Sequence, residues 1–418
     1  MKRILPLLLL IITNSLSAEP LNWFDGSNAV CYQFMTPMES VVRVGESLFK
    51  QDILDVTGKM PVSSATMLNG QAPILIYQLN NASAKQKAAL KKAGFDIELL
   101  NTANDAFHIK AIANISALTK NIPALSKKSK SGIVVCGSNG RGTAYGILEL
   151  SRLAGVSPWV WWGDVVPKKK TVLTLDSEAD IKHSASVEMR GIFINDEDWS
   201  TRPWSQKNND PSTEGRIGAK TYRKIFELLL RLRANTIWPG MHPGTKAFFM
   251  TEGAKAEADS CSILIGTSHC EPLLRNNVGE WDIDKRGRFN YITNREAVQQ
   301  YWAERLEEVK GSSTNIFTIG MRGIHDGSME GVKTMDEKFN ALQKVIDDQQ
   351  EMIARHIGNP SEQPQIFVPY KEVLELYEKG LKIPDYVTLM WCDDNYGYVR
   401  HFPTPEERLR KGGNGIYY

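Results

Sequence analysis

Cysteine is scarce and without pattern: five residues, at positions 31, 136, 261, 270 and 392, with no CxxC pair. That spacing signals neither a zinc site nor a dithiol redox motif. Cys136, Cys261 and Cys392 sit in apolar, strand-like runs that read as places for buried free thiols. Long apolar stretches are also lacking. Beyond the first residues none approaches the about 20 residues of a membrane-spanning helix. Nor does charge of one sign prevail: 50 Lys and Arg stand against 48 Asp and Glu, mixed along the chain. A nucleic-acid binder usually carries a basic face, so that class is set aside. KKSKSG (127–132) and PKKK (167–170) are short and read as solvated loops.

The start of the chain does carry a signal. Lys2 and Arg3 precede ILPLLLLII and then TNSLSA, a charged segment, an apolar core and a small-residue cleavage site after Ala18. No Cys follows that site, which speaks against a lipid anchor. The expectation is an exported protein, periplasmic or extracellular, with no membrane segment once residues 1–18 are removed. About 400 remaining residues suggest two or three domains.

Residues 19–183 read as a small α/β domain. PILIYQL, FDIELL, DAFHIKAIA, SGIVVCG and a final TVLTL look like strands, while SAKQKAALKKAG and RGTAYGILELSRLAG look like helices. GSNGRGT (137–143) resembles a phosphate-binding loop, but Thr143 directly follows Gly142 and the phosphate-reaching lysine is missing. A tight turn leading into a helix is the plainer account.

Residues 184–418 alternate short apolar runs with helical stretches. VEMRGIFI leads into Asn195, Asp196 and Glu197, and ANTIW into PGMHPG. CSILIG leads into Thr267, Ser268 and His269, and NIFTIG into Arg322 and Asp326. QIFVPY leads into Lys371 and Glu372, and TLMW into Cys392, Asp393, Asp394 and Asn395. Repeated strand–helix alternation predicts a parallel sheet. In a (β/α)8 barrel the C-terminal strand ends share one face and build the active site. Six strands can be counted, and a seventh begins at Ile416 just before the sequence ends. The expectation is therefore an incomplete (β/α)8 barrel that stops before its last strands. An open doubly wound sheet is the alternative.

Several strand ends carry carboxylates. One alone would usually be a cap or a surface charge. Gathered on one face, they suit glycoside hydrolysis, in which one carboxyl protonates the leaving oxygen and another activates water or attacks. Crowding and desolvation raise the pKa of the one that acts as acid. Ser268 and His269 do not suit a nucleophile–base pair, because neighbouring strand residues point to opposite faces. His269 and Cys270 lack the further ligands of a metal site, so neither metal nor cofactor is expected. Trp159, Trp161, Trp162, Trp199, Trp204, Trp238, Trp281, Trp302 and Trp391 mostly read as packing residues. Trp238 and Trp391, at strand ends, are the candidates for stacking on a sugar.

Taken together, SNGRGTAYGILELSRLAGVSPWVWWGDVVP, RGIFINDED, GMRGIHDG, PYKEV, WCDDNYGYVR and GGNGIYY resemble the family 115 glycoside hydrolases, the xylan α-glucuronidases. The resemblance implies an exported enzyme that removes glucuronic acid or its 4-O-methyl ether from glucuronoxylan with inversion. It implies an N-terminal α/β domain, a catalytic barrel and further domains beyond it. Motif by motif, it marks Asp326 and Glu372 as the acid/base pair, with Asp326 expected as acid and Glu372 as base. Asp196 is a third carboxylate fit for either role. Asn195, Glu197, Trp238, His269, Arg322, Asn395 and Tyr417 are the expected substrate-binding residues. Arg322 would clamp the substrate carboxylate in a bidentate fashion. Two other readings stay open: a hexosaminidase-like exo-glycosidase on the same plan, and a non-catalytic remnant. A homo-oligomer also stays open.

Overall fold

The computed structural model describes residues 19–63, 70–120, 122, 125, 129–211 and 217–418. The expected leader, and Lys127 and Lys128 of the basic loop, lie outside the described residues. The chain divides into two units, Met1–Ser186 and Val187–Tyr418.

The first unit runs β1 (Leu21–Phe24), β2 (Tyr32–Phe34), α1 (Ser40–Thr57), β3 (Ile74–Gln78), α2 (Ala84–Lys92), α3 (Ile97–Thr102), β4 (Phe107–Ile112), β5 (Gly132–Gly137), α4 (Gly140–Leu153), β6 (Leu173–Leu175) and β7 (Asp180–His183). Five strands form one sheet in the order β2-β3-β5-β4-β7. β2, β3 and β5 are parallel, and β4 runs antiparallel to both its neighbours. Every residue of β3 and β5 is buried. That is why these two strands lack the apolar/polar alternation of a half-exposed strand.

Two expectations fail here. FDIELL is not a strand but leads into α3. Asp96 accepts a hydrogen bond from the Leu99 amide at 3.0 Å and caps the helix, and Phe95 and Leu100 turn inward. TVLTL is not the last strand. It supplies β6, which pairs with β1 outside the main sheet, and β7 follows it along the edge of β4.

GSNGRGT joins β5 to α4 as a packing device. Asn139 caps the helix by accepting from the Gly142 amide at 2.8 Å, and its amide group donates to Asp105 at 3.0 Å. A Cβ on Gly142 would stand 2.3 Å from the Ala106 carbonyl oxygen, so only glycine lets the helix start lie against β4. Gly142→Ala is therefore expected to lower stability by about 1–3 kcal/mol through overpacking, despite the helix preference for alanine. A urea unfolding midpoint no lower than that of the unaltered chain would contradict this.

The second unit contains β8 (Gly191–Ile194), α5 (Ala219–Arg231), β9 (Thr236–Pro239), α6 (Ala254–Ser260), β10 (Leu264–Ile265), α7 (Arg295–Glu308), β11 (Phe317–Ile319), α8 (Met335–His356), β12 (Gln365–Phe367), α9 (Glu372–Glu378), β13 (Thr388–Cys392) and β14 (Asn414–Tyr417). The strands form sheets of order β10-β9-β8 and β11-β12-β13-β14, and every pairing is parallel. A parallel bridge between Ile265 and Asn315 joins the two. Neighbours follow chain order throughout, without the reversal that a doubly wound sheet makes at its switch point. The helices bury one stripe each: α5 turns Tyr222, Ile225, Phe226, Leu229 and Leu230 inward, the spacing of a helix lying on a sheet. With all strands parallel, their C-terminal ends and the loops that follow them lie on one side of the unit.

All five cysteines are free thiols. Burial pushes Cys136, Cys270 and Cys392 up to about 12 and Cys261 up to about 11, which keeps them protonated and unreactive.

Candidate active site

Three neighbouring loops, after β10, β11 and β12, meet around one guanidinium. Arg322, 4% exposed, donates from Nε and Nη2 to the two oxygens of Glu372, both at 3.0 Å. Its Nη1 donates to Asp326 Oδ1. That same oxygen lies 2.8 Å from His269 Nε2. Lys371 Nζ donates to Asp326 Oδ2 at 2.5 Å. The Tyr370 ring lies 4.4 Å from the His269 ring, centroid to centroid, and 5.7 Å from the guanidinium carbon of Arg322. Asn395, held at φ 70, binds the Tyr370 hydroxyl through its amide group at 2.8 Å.

The backbone is built to hold these groups. In MRGIHDG the Gly323 amide closes a turn onto the Gly327 carbonyl at 2.9 Å. A Cβ on Gly323 would meet the Ser328 carbonyl oxygen at 2.4 Å. Asn277 braces two of the loops, donating to the carbonyls of Cys270 at 2.9 Å and Gly323 at 3.2 Å and accepting from the His325 amide at 3.1 Å.

Charge follows from these contacts. Burial pushes the Asp326 carboxyl upward, yet hydrogen bonds from His269 and Lys371 and the charge of Arg322 outweigh it and hold Asp326 well below the usual carboxylate range. Burial lowers His269, and the Asp326 contact only partly opposes that. His269 is thus neutral, and the ionised Asp326 requires its proton on Nε2. Nδ1 is a buried acceptor with no hydrogen-bond partner among the described residues. For Arg322, burial pulls downward, but Glu372 and Asp326 prevail and raise it.

Asp196, at the end of β8, is 3% exposed. It accepts from the His242 amide at 3.0 Å, and its own carbonyl accepts from Thr245 Oγ1 at 2.9 Å. Burial raises its pKa. No hydrogen bond or ion pair among the described residues links it to the Arg322 cluster. Glu197, half-buried, keeps one oxygen without a partner. Asn195 is exposed, and its carbonyl accepts from Ser200 Oγ at 3.3 Å.

The aromatic expectations need correction. Trp238 is 6% exposed and packs against Tyr417 at 5.1 Å, in an apolar cavity also lined by Phe193, Ile316, Ile366 and Met390. Trp391 is buried against Tyr377 and His401. Both rings are buried, Trp391 against other rings and Trp238 on the apolar cavity, so neither presents an exposed face to a sugar. Tyr417 shares the cavity with Trp238, and burial pushes its hydroxyl up to about 12.

Arg322 is corrected as well. The edge expected to clamp a substrate carboxylate is taken by Glu372. Sequence reasoning passed over Tyr370 and Lys371, which touch four of the expected residues between them, and Glu271. The last is 2% exposed, accepts from Ser268 Oγ at 3.3 Å and is raised well above the usual range by burial. Adjacency to the PYKE and TSH motifs was the available signal. Among the described residues, no three His, Cys, Asp or Glu side chains group to hold a metal ion.

The His269 environment makes a testable case. Its imidazole should titrate below the ordinary value of about 6.5, and lower still in Asp326→Asn, which removes the carboxylate that supports the imidazolium. Since the folded-state value is depressed, the stability from neutral His269 is present above about pH 6.5 and lost as pH falls through the folded value. NMR titration of the ring protons reads this directly. A midpoint that rises in the variant would contradict the assignment.

A family model, glycosyl hydrolase family 115, matches residues 182–418. Among solved structures, a family GH115 4-O-methyl-α-glucuronidase with specificity for decorated arabinogalactans is 43% identical at a TM-score of 0.82, covering 94% of this chain and 49% of that one. The present chain therefore spans about half the length of that relative. A GH20 β-N-acetylhexosaminidase from Streptomyces coelicolor A3(2) is 10% identical at a TM-score of 0.51, over 95% of this chain and 71% of its own, a likeness of fold alone. No curated protein matches. The family model and the 43% identical structure together show that the chain belongs to glycosyl hydrolase family 115.

Proposed function

We propose that this chain carries the acid/base site of an exported enzyme that releases glucuronic acid or 4-O-methylglucuronic acid side chains from glucuronoxylan with inversion. The observation that carries the proposal is the ionic cluster of Arg322, Asp326, Glu372 and His269 on loops following successive parallel strands. Seven parallel strands in chain order support reading the second unit as a (β/α)8 barrel without its last strand, the N-terminal domain ending near residue 183. The leader sequence supports export.

The environments favour roles other than those first expected. Asp326, held ionised by its donors, suits the base that takes a proton from the attacking water. Asp196, raised by burial, suits the acid that protonates the leaving xylose oxygen. Glu372 holds the Arg322 guanidinium through both oxygens and so positions Asp326.

Glucuronoxylan incubated with the chain should release uronic acid whose first-formed anomer is β, the inverted product, as followed by proton NMR. Asp326→Asn and Asp196→Asn should each lower kcat by about 10²- to 10⁴-fold. Near-normal kcat in Asp326→Asn would remove it as base. Release of N-acetylhexosamine from aryl-glycosides in place of uronic acid would overturn the substrate class.

A further inference from the structure

A uronic acid substrate brings its own negative charge to a site that already holds Asp326 and Glu372. It needs a cation, and the two expected candidates are occupied. Arg322 is 4% exposed, with one edge on Glu372 and Nη1 on Asp326. His269 is 9% exposed and neutral, and its one contacting nitrogen is on Asp326.

Lys371 differs on each count. Its side chain is 43% exposed. Its ammonium meets Asp326 Oδ2 at 2.5 Å and lies 5.0 Å from the centre of the Tyr370 ring. It lines a groove with Tyr370, Asn395 and Arg400 and with the carboxylates of Glu375, Glu378, Asp393 and Asp394, so it faces open space on one side and the Asp326 carboxylate on the other. Arg400, the other cation of the groove, is paired with Asp394 through Nε at 2.7 Å and through Nη2. Lys371 also has φ 51 and ψ −127, a backbone conformation that a side-chain-bearing residue adopts only under strain. Bonds from Val373 N to the Tyr370 carbonyl and from Leu374 N to the Lys371 carbonyl, both 3.1 Å, hold it there.

We propose that Lys371 is the residue that binds the substrate's uronate carboxylate, and so selects a uronic acid over a neutral hexose. An ammonium has three N–H donors and only one is engaged by Asp326. Even with the Tyr370 hydroxyl drawing on a second donor, the third can take a carboxylate oxygen in a charge-assisted hydrogen bond while Lys371 stays beside Asp326. This inference rests on the uronic acid reading of the site.

Calorimetric titration of the chain with D-glucuronate and with D-glucuronamide, which lacks the charge, tests it. The unaltered chain should bind glucuronate at least about tenfold more tightly, the factor that corresponds to 1.4 kcal/mol. Lys371→Met should bring the two affinities within about twofold, and Lys371→Arg should keep most of the difference. Lys379→Met, which removes a surface ammonium paired with Asp336, should change nothing. A glucuronate preference that survives in Lys371→Met overturns the assignment and leaves the uronic acid reading standing. An unaltered chain with no glucuronate preference overturns both. Retained preference in Lys371→Arg shows that a fold capable of binding tolerates substitution at this position.

Discussion

The Arg322 guanidinium is the constraint on which the site depends. A cation this deeply buried loses most of its hydration, and the loss is tolerated only where carboxylates replace the water with well-aligned hydrogen bonds. Glu372 and Asp326 do so from opposite sides. The pairing fixes three loops at once: the one after β11, which carries Arg322 and Asp326; the start of α9, which carries Glu372; and, through Asp326, the one after β10, which carries His269. It requires β10, β11 and β12 to be neighbours in that order, with their C-terminal ends on the same side. The succession of parallel strands meets that requirement. Arg322 and Lys371 together balance Asp326 and Glu372, with His269 neutral. The charges of the cluster thus offset one another, and Lys371 is its exposed cation.

Much of the second unit was legible in the sequence. Each parallel strand is a short apolar run that ends in polar residues, and all seven runs expected there contain strands. The polar residues that end them include the four that meet at the guanidinium. The first unit was less legible where two periodicities agree. In FDIELL the apolar residues fit either alternation or a helical turn. The Asp96 cap decides for the helix, and an Asp at that position is equally compatible with a turn between strands. The tryptophans failed for a related reason: a sequence shows that Trp238 and Trp391 end strands but not whether a given face meets solvent or other side chains.

Roles were harder to read than positions because they arise between residues far apart in the chain. Arg322 looked like a free clamp, since nothing near it in sequence reveals that Glu372, fifty residues on, occupies its better edge. Lys371 stood in the sequence only as a polar residue after the QIFVPY run, with no role of its own. Its importance comes from an unusual backbone conformation and from a partner forty-five residues earlier. Neither fact has a local signature.

The division of proton affinity among the carboxyls follows from the same long-range contacts. Asp196 and Asp326 are the same residue type and both follow strands on one side of the unit. Asp196 is shut away with only the His242 amide and the Thr245 hydroxyl to oppose burial, so desolvation prevails and its proton is held more tightly. Asp326 keeps a side chain 31% exposed and gathers an imidazole, a guanidinium and an ammonium, so its proton is lost first. On titration from low pH, Asp326 empties before Asp196. A protonated and an ionised carboxyl can therefore coexist over the interval between them, the division of roles that the proposed inversion would use. The order is set by which carboxyl gathers donors and cations, His269, Lys371 and Arg322 at Asp326, and which is shut among packed side chains, as Asp196 is.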